Sequence, residues 1–510
     1  MSTAVQTSAA GRTCSVARSL WMFAAVAVTT GAIIVAAHLR YSGLWIDEVY
    51  TLHAISLPWR DMVLERLLRG HFPLYFVLLK SWVLLCGQAS ELSLRLPSFL
   101  FWAGAVCLFG GCVRCHLPQR EAVLAFLFFG LNGLALRQAS EARMYTLVLL
   151  LAVGFTWAYF SSVQGRRTWP VRLVLIGVPL IAAWTSTTFL LTLLAFGVDT
   201  LRRRRWDVAK DIALAFLLIG LSAAIPVQYH VATRERTEVA HVPPASLVLH
   251  AVTFLTGVIG WEDYYAVPLA GRILQTIGGI LALWMVVRLV RRWKRLPDWA
   301  QSSAVVTALP LLLMLITWAA EKAFGGKYAL HGPARYLIGD LPCAAVLSAA
   351  LISDRVRGRK GFSAWIVAIA VLLLADAVVV ARVHLETSRE LIRQHLVPGF
   401  HSGDAVVVVP AEAAEAVKLY APHVTISDVF PRNLSESEIE SRLRNLGRAE
   451  RVWLVWVHGK SSPAVGVADR LFGKGTSSST QRYLGERRVI VYDVATTGSM
   501  AGSGAKPLPQ

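Results

Sequence analysis

Acidic residues are scarce in this chain: 32 Asp and Glu among 510 residues stand against 51 Lys and Arg, a formal charge of +19. Such an imbalance invites a nucleic-acid partner, but the basic residues do not line one exposed face. They gather in short clusters between apolar stretches, as cytoplasmic loops do, so no nucleic acid is expected. Cysteine is sparse as well, and the six residues (Cys14, Cys86, Cys107, Cys112, Cys115 and Cys343) make no disulfide framework. Cys112-Val113-Arg114-Cys115-His116 matches the C-x-x-C-H pattern of haem attachment. It falls on the basic, inner side of the second apolar span, whereas haem is attached outside, and no axial Met is evident. No second cysteine pair follows, which argues against zinc. A glycine-rich phosphate loop is also missing, so nucleotide binding is unsupported. The apolar run from Leu20 to Ala37 lacks an obvious cleavage site and is too long for a signal core.

Hydrophobic sequence is what the chain has in excess. Apolar residues make up 55% and the mean hydropathy is +0.52. Apolar stretches of roughly 17 to 25 residues recur, which defines a polytopic membrane protein. Spans are expected near 19–39, 95–113, 121–136, 145–160, 171–184, 186–201, 208–226, 270–290, 302–320, 336–352 and 363–381. The stretch 171–201 would be about 46 Å long as one helix, more than a single crossing needs. Divided near Thr185-Ser186-Thr187-Thr188, it leaves every basic cluster on one side: Arg114 and Arg120, Arg166 to Arg172, Arg202 to Arg205, Arg288 to Arg295, and Arg355 to Lys360. Residues 1–18 are then cytoplasmic, 19–381 form the membrane domain, and the C-terminal region lies outside.

The first outer loop, about Arg40 to Ser93, is too long for a simple connection. Pro58 to Leu68 alternates polar and apolar residues at helical spacing and reads as an interfacial helix. Phe72 to Cys86 is apolar around Lys80 and reads as interfacial or re-entrant. Shorter outer segments are expected at Arg137 to Glu141, His230 to His250 and Glu321 to Arg335. Beyond about Arg382 hydropathy falls. Val406–Val409, Val424–Ser427, Val452–Val457 and Arg488–Tyr492 read as strands, with helices at 411–420, 435–447 and 463–472 between them. Ser435 with Glu438 forms a capping box. The expectation is a small α/β extracytoplasmic domain over 382–495, followed by a Gly-, Ser- and Pro-rich disordered tail at 496–510.

Against this background the adjacent pair Asp47-Glu48, just beyond the first span, stands out. Acids at a membrane edge cost desolvation energy and usually serve ions, protons or a substrate. The same pair also suits the first turn of a helix, where the dipole favours carboxylates. On the outer face neither ATP nor nucleotide sugars are present, so an enzyme there needs a donor carried by lipid.

Five segments carry a resemblance: Trp45-Ile46-Asp47-Glu48; His71-Phe72-Pro73-Leu74-Tyr75; Glu91-Leu92-Ser93-Leu94-Arg95-Leu96-Pro97-Ser98; Ser140-Glu141-Ala142-Arg143-Met144-Tyr145; and Pro333-Ala334-Arg335-Tyr336-Leu337, followed by Pro342. Together they resemble the bacterial GT-C glycosyltransferases of the family 39 type, relatives of protein O-mannosyltransferases and of the lipid A aminoarabinose and galacturonic acid transferases. The resemblance covers the membrane domain and is strongest over 40–160. Phe72 replaces the first proline of the usual His-Pro-Pro-Leu-Tyr, and Ser140 replaces the usual Gln. Neither departure removes a charge.

The resemblance implies an all-α polytopic GT-C-like fold of about eleven spans with a small α/β outer domain. It implies a hexosyl- or pentosyltransferase of the inner membrane that moves sugar from a polyprenyl-phosphate donor to a lipid, glycan or protein acceptor, with inverting stereochemistry. By motif match Asp47 is the expected base, because an acceptor hydroxyl is a poor nucleophile until a carboxylate takes its proton. Glu48 is expected to position the acceptor or tune Asp47. The leaving lipid phosphate calls for fixed cations. Arg143 and Arg335 are the leading candidates and His71 and Lys80 the weaker ones, with Glu141, Tyr145 and Tyr336 completing the binding set. An ion pair with Glu141 is the plain structural alternative for Arg143, and Glu91 and Arg95 read as a structural pair. Asp47, Glu48 and His71 bear donors that suit a divalent ion, but no fixed ligand spacing supports one, so no metal or cofactor is expected. A secondary transporter or lipid-sugar flippase is the main rival. It would favour ionisable residues in span centres, where only Asp376 lies, with Asp199 near a span end. A non-catalytic scaffold leaves Asp47-Glu48 and Arg335 unused.

Overall fold

The computed structural model describes residues 2–233, 244–259, 269–324, 333–353, 359–382, 388–431, 434–446, 449–456, 463–473, 476–480 and 487–494. The expected tail 496–510 lies outside the described residues, as do 355–358 of the last basic cluster and 234–243 and 325–332 of two expected outer segments.

Helices follow one another as α1 (Ser2–Tyr41), α2 (Ile46–Ser56), α3 (Trp59–Leu68), α4 (Leu74–Cys86), α5 (Glu91–His116), α6 (Gln119–Gly130), α7 (Gly133–Ala139) and α8 (Tyr145–Val163). They continue as α9 (Trp169–Thr185), α10 (Phe189–Arg202), α11 (Trp206–Thr233), α12 (Pro244–Thr256), α13 (Leu269–Arg292), α14 (Asp298–Phe324), α15 (Leu341–Ser353) and α16 (Arg359–Arg382). Two compact units emerge. One comprises Met1–His38, Pro58–Leu85 and Leu92–Val383; the other comprises Leu39–Leu57, Cys86–Glu91 and His384–Gln510.

The first unit is the helical membrane unit. Among the described residues, seven helices are long and apolar enough to cross a membrane: α1, α5, α8, α13, α14, α16, and α15 with the 3-10 turn Ala334–Asp340 before it. Helices α6 and α7 make an eighth if counted as one span bent by 48°. At that bend the Asn132 side chain accepts from the backbone N–H groups of Leu134 (3.0 Å) and Ala135 (3.3 Å), so the second half starts with its own cap. Gly133 follows, and a Cβ there would lie 2.0 Å from Asp376 Oδ2. Only glycine lets that carboxylate reach the backbone N–H of Ile259 at 3.0 Å.

The remaining three of the eleven expected spans fall on α9, α10 and α11, which, over the described residues, are not among the helices long and apolar enough to cross. The long stretch 171–201 breaks between Thr185 and Phe189, where the Ser186 and Thr188 hydroxyls meet at 2.9 Å. Helix α4 has 13 residues, about 20 Å, against a hydrocarbon core of about 30 Å, in keeping with the interfacial or re-entrant reading.

The second unit contains a five-stranded sheet. Its strands are β1 (Ala405–Val409), β2 (Asp428–Val429), β3 (Arg451–Trp456), β4 (Thr476–Thr480) and β5 (Arg487–Asp493), in the order β2-β1-β3-β5-β4. β1 runs parallel to β2 and β3, while β5 is antiparallel to β3 and β4. All five residues of β1 are buried, as a parallel strand covered on both faces requires. Short helical turns α17 (Ser388–Leu391) and α18 (Val397–Gly399) precede the sheet, and α19 (Ala414–Tyr420), α20 (Glu436–Asn445) and α21 (Pro463–Phe472) connect its strands. Val407, Leu454, Ile490, Leu443 and Val467 share one core with the α20–α21 face. Ser435 and Glu438 form the expected capping box.

Two strand expectations need correction. Val424–Ser427 is not a strand. Val424 closes a turn onto the Ala421 carbonyl at 2.9 Å, and pairing begins only when the Ser427 N–H reaches the Val406 carbonyl at 2.8 Å. β4 was not expected, because Thr476-Ser477-Ser478-Ser479-Thr480 has no apolar alternation.

Candidate active site

The acidic pair opens α2. Trp45 is extended at the N-cap, and its N–H donates to Glu48 Oε2 at 3.2 Å while its carbonyl accepts from the Val49 N–H at 2.9 Å. Glu48 is fully buried and Asp47 only partly so. The two readings of the pair therefore divide between its members. Glu48 satisfies an orphan donor at the helix start, the reciprocal half of a capping box. Asp47 occupies the same favourable first turn but keeps access to solvent.

In the membrane unit, four of the motif segments are tied together by side chains. The Tyr75 and Ser98 hydroxyls meet at 3.3 Å, and the Ser98 hydroxyl donates to the Arg143 carbonyl at 3.2 Å. Arg143 holds its guanidinium 5.9 Å from the Tyr145 ring centre, and Arg335 lies 5.8 Å from the same ring. Arg335 Nε donates to Tyr145 Oη at 3.3 Å although the residues are 190 positions apart. Tyr336 stacks on Tyr145 with ring centres 6.3 Å apart. Arg143, Tyr145 and Arg335 are all buried. Two guanidiniums thus lie against one aromatic ring at the start of α8, an arrangement suited to gripping an anion.

The other expected residues have partners of their own. Glu141 is buried and accepts from Arg137 Nε at 3.0 Å, an i,i+4 pair. Ser140, one of the two departures from the family pattern, places its hydroxyl 2.6 Å from His38 Nδ1, and His38 Nε2 meets the Val380 carbonyl at 3.0 Å. Lys80 stands 5.1 Å over the Trp59 ring. His71 ends α3: its N–H donates to the Arg66 carbonyl at 2.9 Å and Gly70, at φ 76°, donates to Leu67 at 3.0 Å. That pair of bonds is a Schellman cap, which needs the left-handed glycine. Arg95 Nη1 reaches the His38 carbonyl at 3.4 Å, while Glu91 forms an ion pair with Arg389 at 3.0 Å.

Sequence reasoning missed Arg66. It is buried on α3, bonded to Glu65, and stacked 4.9 Å over the Phe76 ring. Burial pulls its guanidinium below the ordinary arginine value against the pull of Glu65, and the positive charge of Arg143 acts in the same direction as burial. Within Arg60 to Arg69, where polar and apolar residues alternate at helical spacing, it reads as one more exposed cation. Helices α4 and α5 border an open apolar pocket of roughly 190 Å³ lined by Tyr75, Leu79, Trp82, Pro97, Leu100 and Phe101.

Among the described residues, no group of three or more His, Cys, Asp or Glu side chains gathers as a metal site. The His116 ring contacts Gln164 Oε1 at 2.9 Å and the Ser161 hydroxyl at 3.2 Å, so both nitrogens of the C-x-x-C-H histidine serve packing. The two acids that stood out in or near span centres each have a partner, while Asp340, buried in the span 336–352, does not have its oxygens satisfied by hydrogen bonds. Asp199 accepts from Tyr159 at 2.6 Å, Arg202 at 2.6 Å and Arg203 at 3.1 Å, and Asp376 binds the Ile259 N–H.

No protein-family model and no curated protein matches this sequence. Among solved structures, the chain is similar to the archaeal oligosaccharyltransferase AglB from Archaeoglobus fulgidus in complex with an inhibitory peptide and a dolichol-phosphate (11% identity, 85% of this chain and 69% of that chain, TM-score 0.44). It is also similar to the apo state of ArnT from Cupriavidus metallidurans (12% identity, 96% of this chain and 98% of that chain, TM-score 0.44). Likeness at this level of identity and TM-score transfers neither activity nor residue roles to this chain.

Proposed function

We propose that this protein is a membrane glycosyltransferase that moves a sugar from a polyprenyl-phosphate donor to a cell-envelope acceptor on the outer face of the inner membrane. The observation that carries this reading is the joining of four motif segments, through Tyr75, Ser98, Arg143, Tyr145 and Arg335, around two buried guanidiniums. Arginine suits a lipid phosphate because its planar fork grips two oxygens and stays charged at any working pH.

In the reaction, the acceptor oxygen forms a bond to the anomeric carbon while the bond from that carbon to the phosphate oxygen breaks. The acceptor proton passes to the Asp47 carboxylate as the new bond forms. The electron pair of the broken bond stays on the phosphate, whose added charge Arg143 and Arg335 stabilise more strongly than the starting diester. The apolar pocket lined by Tyr75 offers a path for the first isoprene units of the lipid. Glu48, held at the start of α2, fixes the helix that carries Asp47. The acceptor is a lipid, a glycan or a protein, and the sugar is a hexose or a pentose.

The donor class provides the test. Given a radiolabelled nucleotide sugar or a radiolabelled polyprenyl-phosphate sugar, with membrane extract as acceptor, the purified protein should consume only the lipid-linked sugar. Consumption of the nucleotide sugar would contradict the proposal.

A further inference from the structure

The second unit gathers two short pieces of chain from ahead of residue 86 or just after it, Leu39–Leu57 and Cys86–Glu91, onto the C-terminal α/β fold. Helix α2 packs on α19 and on the turn Ala411–Ala413, and a set of side-chain hydrogen bonds holds the chain just ahead of it. Arg389 Nη1 donates to Glu91 Oε2 at 3.0 Å and to the Leu39 carbonyl at 3.0 Å, and its Nη2 donates to the Arg40 carbonyl at 3.0 Å. These carbonyls belong to the last turn of α1, where four acceptors lack helical partners and a cation is favoured. Glu91 Oε1 also accepts from the Tyr420 hydroxyl at 2.8 Å, and the Tyr420 oxygen in turn accepts from the Leu44 N–H at 2.7 Å. Tyr420 is buried, and Arg393 lies 5.7 Å over its ring. The chain between α1 and α2 is thus fixed at both ends, at Leu39-Arg40 by Arg389 and at Leu44 by Tyr420, with Glu91 joining the two anchors. Asp47 follows three residues after Leu44.

We infer that Tyr420, Glu91 and Arg389 are positioning residues for Asp47: the C-terminal unit sets the direction of α2 and thereby the aim of its first-turn carboxylate. This role rests on the function proposed above. A hydroxyl that both donates to a carboxylate and accepts a backbone N–H has a defined orientation, and the charge on Glu91 strengthens the bond to Tyr420. Misplacing a proton acceptor by about 1 Å is enough to cost on the order of 10²-fold in rate.

Tyr420→Phe keeps the ring and removes both hydrogen bonds, and Glu91→Gln keeps the shape while weakening the join. Two readouts are needed. Hydrogen exchange over residues 42–48 should rise in both variants, with the remaining exchange pattern unchanged. In transfer assays kcat should fall about 10- to 100-fold with the donor KM unchanged, and Tyr420→Phe should slow the Asp47→Asn variant no further, because the anchor acts only through that carboxylate. Wild-type exchange over 42–48 in both variants would overturn the anchor. An equal further loss in the Asp47→Asn background would overturn its role in positioning. If the wild type transfers no sugar at all, the proposed function falls while the exchange measurement still decides the anchor.

Discussion

Asp47→Asn is expected to slow sugar transfer by roughly 10² to 10⁴, the range of a lost general base. Asparagine keeps the size and hydrogen-bonding reach of the side chain but has almost no basicity. The helix start should survive, because Glu48, and not Asp47, accepts the Trp45 N–H. Expression, membrane insertion and donor KM should therefore match the wild type while kcat falls. Glu48→Gln makes the contrasting control: the amide oxygen still accepts from Trp45, so the loss should be much smaller. Steady-state transfer with a saturating acceptor measures both. Wild-type turnover by Asp47→Asn would move the base elsewhere, with Glu48 and Glu141 next in line.

A second large effect is expected at the paired arginines. Arg143→Gln or Arg335→Gln should each lower kcat by about 10²- to 10³-fold, as removal of one stabilising donor does at a site of developing negative charge. Lysine should restore only part of the loss at either position, since it returns the charge without the planar fork. At position 335 it also gives up the Nε bond to Tyr145 Oη. Both guanidiniums address the same ring, so the double variant should lose less than the product of the single losses. Kinetics with the donor lipid varied at fixed acceptor provide the measurement. Full activity in Arg335→Lys would show that a point charge suffices and would remove the case for a forked grip on phosphate.

Much of the fold was legible in the sequence because membrane spans are written in length and hydropathy. Every expected span falls on a helix, eight of them on helices long and apolar enough to cross if the bent pair counts as one, and the break inside 171–201 follows from its length and from the sidedness of the basic clusters. The strands β1, β3 and β5 were legible from Val- and Ile-rich runs, while the hydroxyl-only β4 carried no such signal. The site divides along a similar line. The motif segments mark Asp47, Arg143, Tyr145 and Arg335, but no local pattern reveals that Arg335 would meet a tyrosine 190 positions earlier. Arg66 was hidden in a charged amphipathic segment, and its burial arises only when α3 folds. The contact between Glu91 and Arg389 spans 298 positions, and sequence spacing gives no guide to a pair that distant.

The fate of the lipid donor tests the central claim most directly. The purified protein is placed in vesicles with a polyprenyl-phosphate sugar labelled in both the lipid and the sugar, together with membrane extract as acceptor. The expected result is free polyprenyl phosphate and labelled acceptor in equal amounts, formed without any nucleotide. The contradicting result is a labelled lipid that crosses the bilayer with its sugar still attached, which would make the protein a flippase and end the transferase reading.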